Sequence, residues 1–312
     1  MALFLGVDGG QSSTTALVGD ETGRVLGLGQ DGPCNHVSGP EKRAKFLGAI
    51  GGAVSKALTA AGLDPVGREF AAACFGFSGG PQDKQPLIEE MFTVRTLSVT
   101  TDALIALVGA TSGEPGLITI AGTGSIALGR NAEGKIARAG GWGYVFGDEG
   151  GGFDIVRQAL RAALRQEEGW GPQTSLHSRL LEATGAGNAN DLLHRFYTID
   201  WPRPQIAALS KIVDQAALEG DPVAAAILNR AAQELATIAA AVRAQLFAPH
   251  ETPRTAFIGG VFRSGFVRER FALLAGDRCG PPDLNPAAGA LLEAYRIGKL
   301  VVKLANVPAV EK

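Results

Sequence analysis

Two short stretches of the 312-residue chain combine glycine with hydroxyl side chains directly after an apolar segment. The first, "VDGGQSSTT", contains Asp8, and the second, "IAGTGS", contains Gly122, Thr123, Gly124 and Ser125. Backbone N–H groups and hydroxyls in such turns bind phosphate oxygens, and glycine lets a ligand approach the backbone closely. A carboxylate beside the turn suits Mg²⁺, usually through water. The residue types favour a phosphate site, although one glycine turn alone is more often structural.

Two common nucleotide-binding signatures do not account for these turns. Residues 122–127 match GxGxxA, but a Rossmann unit needs a helix directly after the turn. The following residues, "SIALGRNAEGKIARAGG", alternate and turn like a β-hairpin instead. The Walker pattern GxxxxGK[ST] is absent from the sequence, which excludes a P-loop nucleotide site.

The elements that carry the turns follow a pattern that occurs twice. The segments "LFLGVD", "TALVGD" and "GRVLGLGQ" predict three strands, followed by a helix over 41–62 and strands over 70–80 and 93–102. The pattern restarts near residue 105, with strands and turns over 116–141. The duplication predicts an α/β fold with two domains, 1–104 and 105–312, and a cleft between them.

The C-terminal part adds two helices with clear start signals and one further glycine turn. Asp221 and Pro222 are the expected cap and first residue of a helix over 221–247, and Asn285 caps a helix over about 285–301. The segment 254–265 contains a predicted strand that ends in the pair Gly259-Gly260. We expect the last helix to pack back on the N-terminal domain.

Composition narrows the class of protein. The net charge is −2 without a basic run, and no apolar stretch is long enough to cross a bilayer, so we expect neither nucleic-acid nor membrane binding. The N-terminus has no signal-peptide pattern, which predicts a cytoplasmic protein. Cys34, Cys74 and Cys279 are too widely spaced for a metal site and odd in number, so they are expected to be small buried side chains.

Asp102 is the acid with two open interpretations. It follows the strand-like "LSVTTD" and precedes an apolar helix start. An aspartate in this place caps a helix, and it can equally serve as a general base at the end of a strand. Local sequence favours the cap over the base, and one aspartate can fill both roles.

Several motifs together resemble the sugar-kinase/Hsp70/actin superfamily. They are "VDGGQSSTTALV", "TDAL", "IAGTGS", "GGWGYVFGDEGGGFDI" and "FIGGVFRS". Within it they resemble the BadF/BadG/BcrA/BcrD ATPase group, which includes N-acetylglucosamine kinases, from Gly6 to about Leu300. The resemblance implies duplicated actin-like ATPase (ribonuclease H-like) domains.

The resemblance also implies roles for individual residues. Asp102 corresponds to the catalytic base and Asp8 to the residue oriented towards Mg²⁺. The expected ATP-binding residues are those of the first phosphate loop, those of the second and the adenosine-side glycines: Gly9, Gly10, Gln11, Ser12, Ser13, Thr14, Gly122, Thr123, Gly124, Ser125, Gly259 and Gly260. The expected sugar contacts are Asn35, Ser78, Asp102, Thr123 and Asp148.

The implied reaction is phosphorylation of an amino sugar by ATP with Mg²⁺, in a homodimeric enzyme. N-acetylglucosamine, converted to N-acetylglucosamine 6-phosphate, is the favoured acceptor, and glucosamine or N-acetylmuramic acid are the alternatives. A different class is a BadF-type regulatory ATPase that acts on a protein partner. The iron–sulfur form of that class is disfavoured, since the chain has no close cysteine pair.

Overall fold

The computed structural model describes residues 1–10, 12–34, 37, 39–198 and 201–309. Contacts divide the chain into two units, Met1–Glu114 with Pro282–Lys312, and Pro115–Pro281. The expected boundary after residue 104 falls inside the helix α3 (Asp102–Ala110), whereas the contacts divide the chain after Glu114. The C-terminal segment belongs to the first unit.

The first unit contains a five-stranded sheet in the order β3-β2-β1-β4-β5. Strand β1 is antiparallel to β2 and parallel to β4, and β4 is parallel to β5. The strands are β1 (Phe4–Gly9), β2 (Thr14–Gly19), β3 (Val25–Asp31), β4 (Glu69–Phe77) and β5 (Thr93–Thr101). The other helices are α1 (Pro40–Ala60), α2 (Gln85–Met91) and α11 (Pro286–Ile297).

Alternating residues of β1 and β4 pack into two separate cores. Leu5 and Val7 lie in the core with α1, whereas Phe4 lies in the core with α11. This is the period of two that a strand buried on both faces shows. Glycine allows α11 to approach closely, because a Cβ on Gly6 would lie 2.2 Å from the Leu291 nitrogen.

The second unit contains another five-stranded sheet, in the order β10-β9-β6-β7-β8. Its strands are β6 (Gly116–Ala121), β7 (Ser125–Arg130), β8 (Ile136–Gly140), β9 (Arg254–Ile258) and β10 (Cys279–Gly280). The helices are α4 (Gly152–Glu167), α5 (Leu176–Thr184), α6 (Ala189–Phe196), α7 (Arg203–Ala208), α8 (Ser210–Leu218), α9 (Pro222–Leu246) and α10 (Gly265–Ala275). A short 3-10 turn, Gly260–Arg263, follows β9.

Both sheets begin with an antiparallel three-strand meander and continue with parallel strands, so the predicted duplication of the α/β pattern is confirmed. Asp221 caps α9 by accepting the N–H groups of Val223 and Ala224, and Asn285 caps α11 through the N–H of Ala288. Within the described residues, no helix is both long and apolar enough to cross a membrane.

Candidate active site

Three acidic or hydroxyl residues of the first unit lie at one edge of its sheet. Strands β1, β4 and β5 run parallel, with Gly9 opposite Phe77 and Phe77 opposite Thr101. Their carboxyl ends therefore meet at the same edge. Asp8 is the last residue but one of β1, Ser78 directly follows β4, and Asp102 directly follows β5. Sequence separation hides this cluster, and only the strand order brings it together.

The carboxylate of Asp102 is held from two sides. Its Oδ2 accepts a hydrogen bond of 2.6 Å from Ser78 Oγ, and its Oδ1 accepts one of 2.8 Å from the N–H of Ala103. The capping role belongs to Thr101, whose Oγ1 accepts the N–H of Leu104 at 3.2 Å. Asp102 is half-buried. Two of the predicted sugar contacts, Ser78 and Asp102, are thus directly hydrogen-bonded.

The first glycine turn joins β1 to β2. It is closed by a hydrogen bond of 3.0 Å from the N–H of Gly10 to the carbonyl of Ser13. Ser12 and Ser13 are exposed, so their hydroxyls are accessible to a ligand. Thr14 is fully buried, and its hydroxyl donates to the carbonyl of Gly32 at 2.8 Å. This hydroxyl therefore ties the start of β2 to the residue that follows β3.

Two of the predicted site residues, Gln11 and Asn35, lie outside the described residues. Gly9 is buried, and a Cβ on it would lie 2.4 Å from the Phe77 ring. The close packing of the Phe77 ring from the neighbouring strand therefore requires glycine at this position.

The second glycine turn lies at the matching edge of the second sheet. Strands β6 and β9 run parallel with Ile120 opposite Ile258, so residues 122–124 and the pair Gly259-Gly260 follow neighbouring strand ends. Gly259 has a φ of 116°, and a Cβ on it would lie 2.2 Å from the Ala121 carbonyl oxygen. The backbone conformation at this position and its close contact with Ala121 therefore require glycine, whether or not a ligand binds there.

Gly122 and Gly260 show a different environment. A Cβ built on either one meets no atom of the described chain within 4 Å. The backbone at these two points is open to a close ligand, which is the property a phosphate or nucleotide requires. A cavity of about 170 Å³ adjoins Gly260 and is lined by side chains that include Lys211, Asp214 and Arg263. No sequence motif points to these three residues.

Asp148 lies directly against the second glycine turn. Its φ is 65°, and a Cβ on Gly124 would lie 2.3 Å from Asp148 Oδ2. The N–H of Ser125 approaches Asp148 Oδ1 at 3.4 Å, and Ser125 Oγ donates to the carbonyl of Glu149 at 2.7 Å. The loop over 141–151 therefore packs directly against the glycine turn over 122–124 and is hydrogen-bonded to Ser125, the residue that follows it.

The beginning of helix α4 also contacts this turn. The N–H of Gly152 donates to the carbonyl of Gly122 at 2.8 Å, and the N–H of Phe153 donates to the carbonyl of Thr123 at 3.0 Å. These bonds hold the carbonyls of the turn, so the turn has a defined shape before a ligand arrives. Thr123 is partly exposed.

The residues fit a magnesium–nucleotide ligand better than a resident metal cluster. Within the part of the chain that the structure describes, no group of three or more His, Cys, Asp or Glu side chains is arranged to hold a metal ion. Mg²⁺ bound with a nucleotide needs only one or two carboxylates, because phosphate and water supply its other ligands. Asp8, beside a turn with two exposed serines, matches that requirement.

The chain resembles one family of ATPases and several sugar kinases. Residues 5–294 match the BadF/BadG/BcrA/BcrD ATPase family. A Clostridium acetobutylicum protein named N-acetylmuramic acid/N-acetylglucosamine kinase is 36% identical over 245 residues, 75% of this chain and 77% of that protein. The N-acetyl-D-glucosamine kinase of Dictyostelium discoideum is 31% identical over 257 residues, 75% of this chain and 76% of that protein.

A crystal structure assigned as an N-acetylglucosamine kinase from Chromobacterium violaceum superposes with a TM-score of 0.73. It is 28% identical and covers 94% of this chain and 98% of that chain. The likeness confirms the expected duplicated actin-like ATPase fold, with its two mixed sheets. With the family matched over 5–294, the chain belongs to the BadF/BadG/BcrA/BcrD ATPase family.

Proposed function

We propose that this protein transfers the γ-phosphoryl group of ATP to the 6-hydroxyl of N-acetylglucosamine. The observation that carries the proposal is the hydrogen bond from Ser78 to Asp102 at the sheet edge that also carries Asp8. It joins a candidate acceptor contact to a candidate base, and a phosphate turn begins at the same edge. The relatives' names supply the acceptor.

The class of enzyme follows from the relatives. The chain is an ATP-dependent phosphotransferase, since it matches a family of ATPases over most of its length and aligns with kinases at 36% and 31% identity. Within that class it acts on an amino sugar. N-acetylmuramic acid and glucosamine remain the alternative acceptors.

Asp102 is the general base in this proposal. Phosphoryl transfer demands that the attacking hydroxyl lose its proton, and the carboxylate accepts it. The bonds from Ser78 and from the N–H of Ala103 fix both oxygens of that carboxylate. A carboxylate oriented in this way meets the acceptor hydroxyl without first searching among rotamers. Ser78 also contacts the sugar, together with Asn35, Thr123 and Asp148.

The two glycine turns bind the phosphates of ATP. In the first turn the exposed hydroxyls of Ser12 and Ser13 are the donors, and Asp8 is the carboxylate that would hold Mg²⁺. In the second turn the backbone at Gly122 is open to a close ligand. The adenosine lies in the cavity beside Gly260. Bound Mg²⁺ supplies charge neutralisation at the phosphates.

The first test is ADP release from ATP over a panel of hexoses. The panel contains glucose, glucosamine, N-acetylglucosamine, N-acetylmannosamine, N-acetylmuramic acid and a control without sugar. Strong stimulation by N-acetylglucosamine, with phosphate on its 6-hydroxyl, supports the proposal. Steady hydrolysis that no sugar stimulates contradicts it and favours a regulatory ATPase with a protein partner.

A variant tests the base. Asp102→Asn keeps the shape of the side chain and is expected to lower kcat by about 10²–10⁴-fold with the ATP affinity unchanged. Asp64→Asn is the matched control, because Asp64 is an exposed aspartate of the first unit whose Oδ1 accepts the N–H of Val66. Unchanged transfer by Asp102→Asn would remove Asp102 from this role.

Two further properties belong to the same proposal. We propose that the enzyme acts in the cytoplasm, where ATP is available, and that it forms a homodimer. Sedimentation velocity at micromolar concentration decides the second point, and a single monomeric species contradicts it.

A further inference from the structure

We infer that Asp154 and Arg157, on the first turns of α4, are positioning residues that hold the acceptor-binding loop in its working shape. We name residues 141–151 the Asp148 loop; it joins β8 to α4. The inference rests on the proposed function in one respect, namely that Asp148 contacts the sugar. We name the hydrogen bonds that Asp154 and Arg157 make to this loop and to each other the brace. All residues of the brace belong to the second unit.

Asp154 gathers three donors on one carboxylate. Its Oδ2 accepts the N–H of Gly150 at 3.1 Å, while its Oδ1 accepts Arg157 Nη2 at 2.7 Å and Gln158 Nε2 at 3.1 Å. Asp154 is only 7% exposed, so water does not replace these partners at low cost. The C-terminal end of the Asp148 loop is thereby tied to α4.

Arg157 ties the other side of the loop to the same helix. While Nη2 bonds to Asp154, Nη1 donates to the carbonyl of Tyr144 at 3.3 Å. One planar guanidinium thus spans two acceptors, which a lysine ammonium on a flexible stem does not reproduce. The loop is held at Tyr144 and at Gly150, on either side of Asp148.

Asp148 needs such support. Its φ of 65° lies in the left-handed region, which a residue with a side chain rarely adopts. Its carboxylate also has to stay against Gly124 of the phosphate turn. Because the brace fixes both flanks, it determines where the Asp148 carboxylate points when an acceptor binds.

Only a carboxylate satisfies all three donors of the brace. An asparagine has one acceptor oxygen and an NH₂ group that donates. If the oxygen faces Arg157 and Gln158, the NH₂ opposes the N–H of Gly150, and in the flipped orientation the conflict moves to Arg157. Asp154→Asn therefore breaks one side of the brace while it preserves the volume.

The test combines hydrogen–deuterium exchange with steady-state kinetics on the full chain. Asp154→Asn is compared with Asp191→Asn, in which an exposed aspartate also accepts the N–H of a glycine four residues earlier, Gly187, at 3.2 Å. Exchange over residues 141–151 is expected to accelerate about tenfold or more in Asp154→Asn. The acceptor KM is expected to rise about tenfold with the KM for ATP within about twofold. The control leaves all three values unchanged.

Arg157→Lys is the second variant, because it keeps the charge and removes the fork. It is expected to give the same pattern with a smaller effect, and it carries the test if Asp154→Asn does not fold. Unchanged exchange in the loop overturns the inference, and so does equal loss of affinity for ATP and acceptor. If the wild-type protein phosphorylates no sugar, the proposed function fails, whereas the exchange experiment still decides the brace.

Discussion

Gly124→Ala is the substitution that tests the contact between the Asp148 loop and the second phosphate turn. A Cβ at position 124 would lie 2.3 Å from Asp148 Oδ2, 2.5 Å from Cγ and 2.8 Å from Oδ1. All three atoms belong to one carboxylate, so no single rotation of its oxygens relieves the overlap. The methyl group and the carboxylate compete for the same space.

The size of the effect follows from these distances. Ordinary van der Waals contact starts at about 3.5 Å, so the carboxylate has to move by roughly 1 Å. Misplacement of a positioning group by about 1 Å can cost on the order of 10²-fold in rate. We therefore expect kcat/KM for the acceptor to fall by roughly 10- to 100-fold, which corresponds to about 1.4–2.7 kcal/mol.

The assay is coupled ADP release with the acceptor varied at saturating ATP. Gly129→Ala is the matched control, because its Cβ would lie 2.7 Å from Val242 Cγ1 in the core of the same unit. That control is expected to lower the melting temperature and to leave the acceptor KM unchanged. Repeating Gly124→Ala in an Asp148→Ala background completes a double-mutant cycle.

The cycle can refute the reasoning directly. If Gly124→Ala acts by displacing the Asp148 carboxylate, it has little further effect once that carboxylate is gone. An equal loss in both backgrounds means that the methyl group acts elsewhere. An unchanged acceptor kcat/KM in the single variant means that Asp148 does not depend on this contact.

Three further outcomes are expected. Ser78→Ala removes the hydrogen bond to Asp102 and should lower kcat roughly tenfold in the same assay. An unchanged kcat would mean that Asp102 does not need this hydrogen bond to act as the base. Burial by itself would raise the pKa of Asp221, but the hydrogen bonds it accepts bring that pKa below 3.8. Its contribution is therefore present at neutral pH and is lost as the pH falls through that lowered pKa. Asp221→Ala should lower the free energy of unfolding in urea by about 2–4 kcal/mol at pH 7. If the variant is less stable than the wild type by the same amount in strong acid, this cause is wrong. Burial raises the pKa of the Cys34 thiol and raises that of Cys279 to about 11, so a thiol reagent at pH 8 should react slowly with the folded protein and fast in urea.

Local signals in the sequence predicted the parts of the fold that depend on near neighbours. Asp221 and Asn285 cap helices because each accepts N–H groups only two or three residues further along the chain. The glycine turns follow strands because a chain that reverses at the end of a strand needs glycine there. The duplicated order of strands and helices could be predicted too, because each strand or helix is indicated by the apolar pattern of its own residues.

Asp102 shows where local reading ends. Its neighbours favour a helix cap over a base, yet the cap is Thr101, one residue earlier. A cap depends on backbone geometry within a single turn of helix. That geometry varies by a residue without any change in the apolar pattern.

The contacts that make a candidate site come from the tertiary structure alone. Ser78 meets Asp102 because β4 and β5 are parallel neighbours in register. Asp148 meets Gly124 because the loop after β8 folds back on the turn between β6 and β7. Strand order and register depend on packing between distant segments, and no local pattern contains them. The sequence by itself thus determined which residues can bind phosphate or accept a proton, and the tertiary structure decided which of them are neighbours.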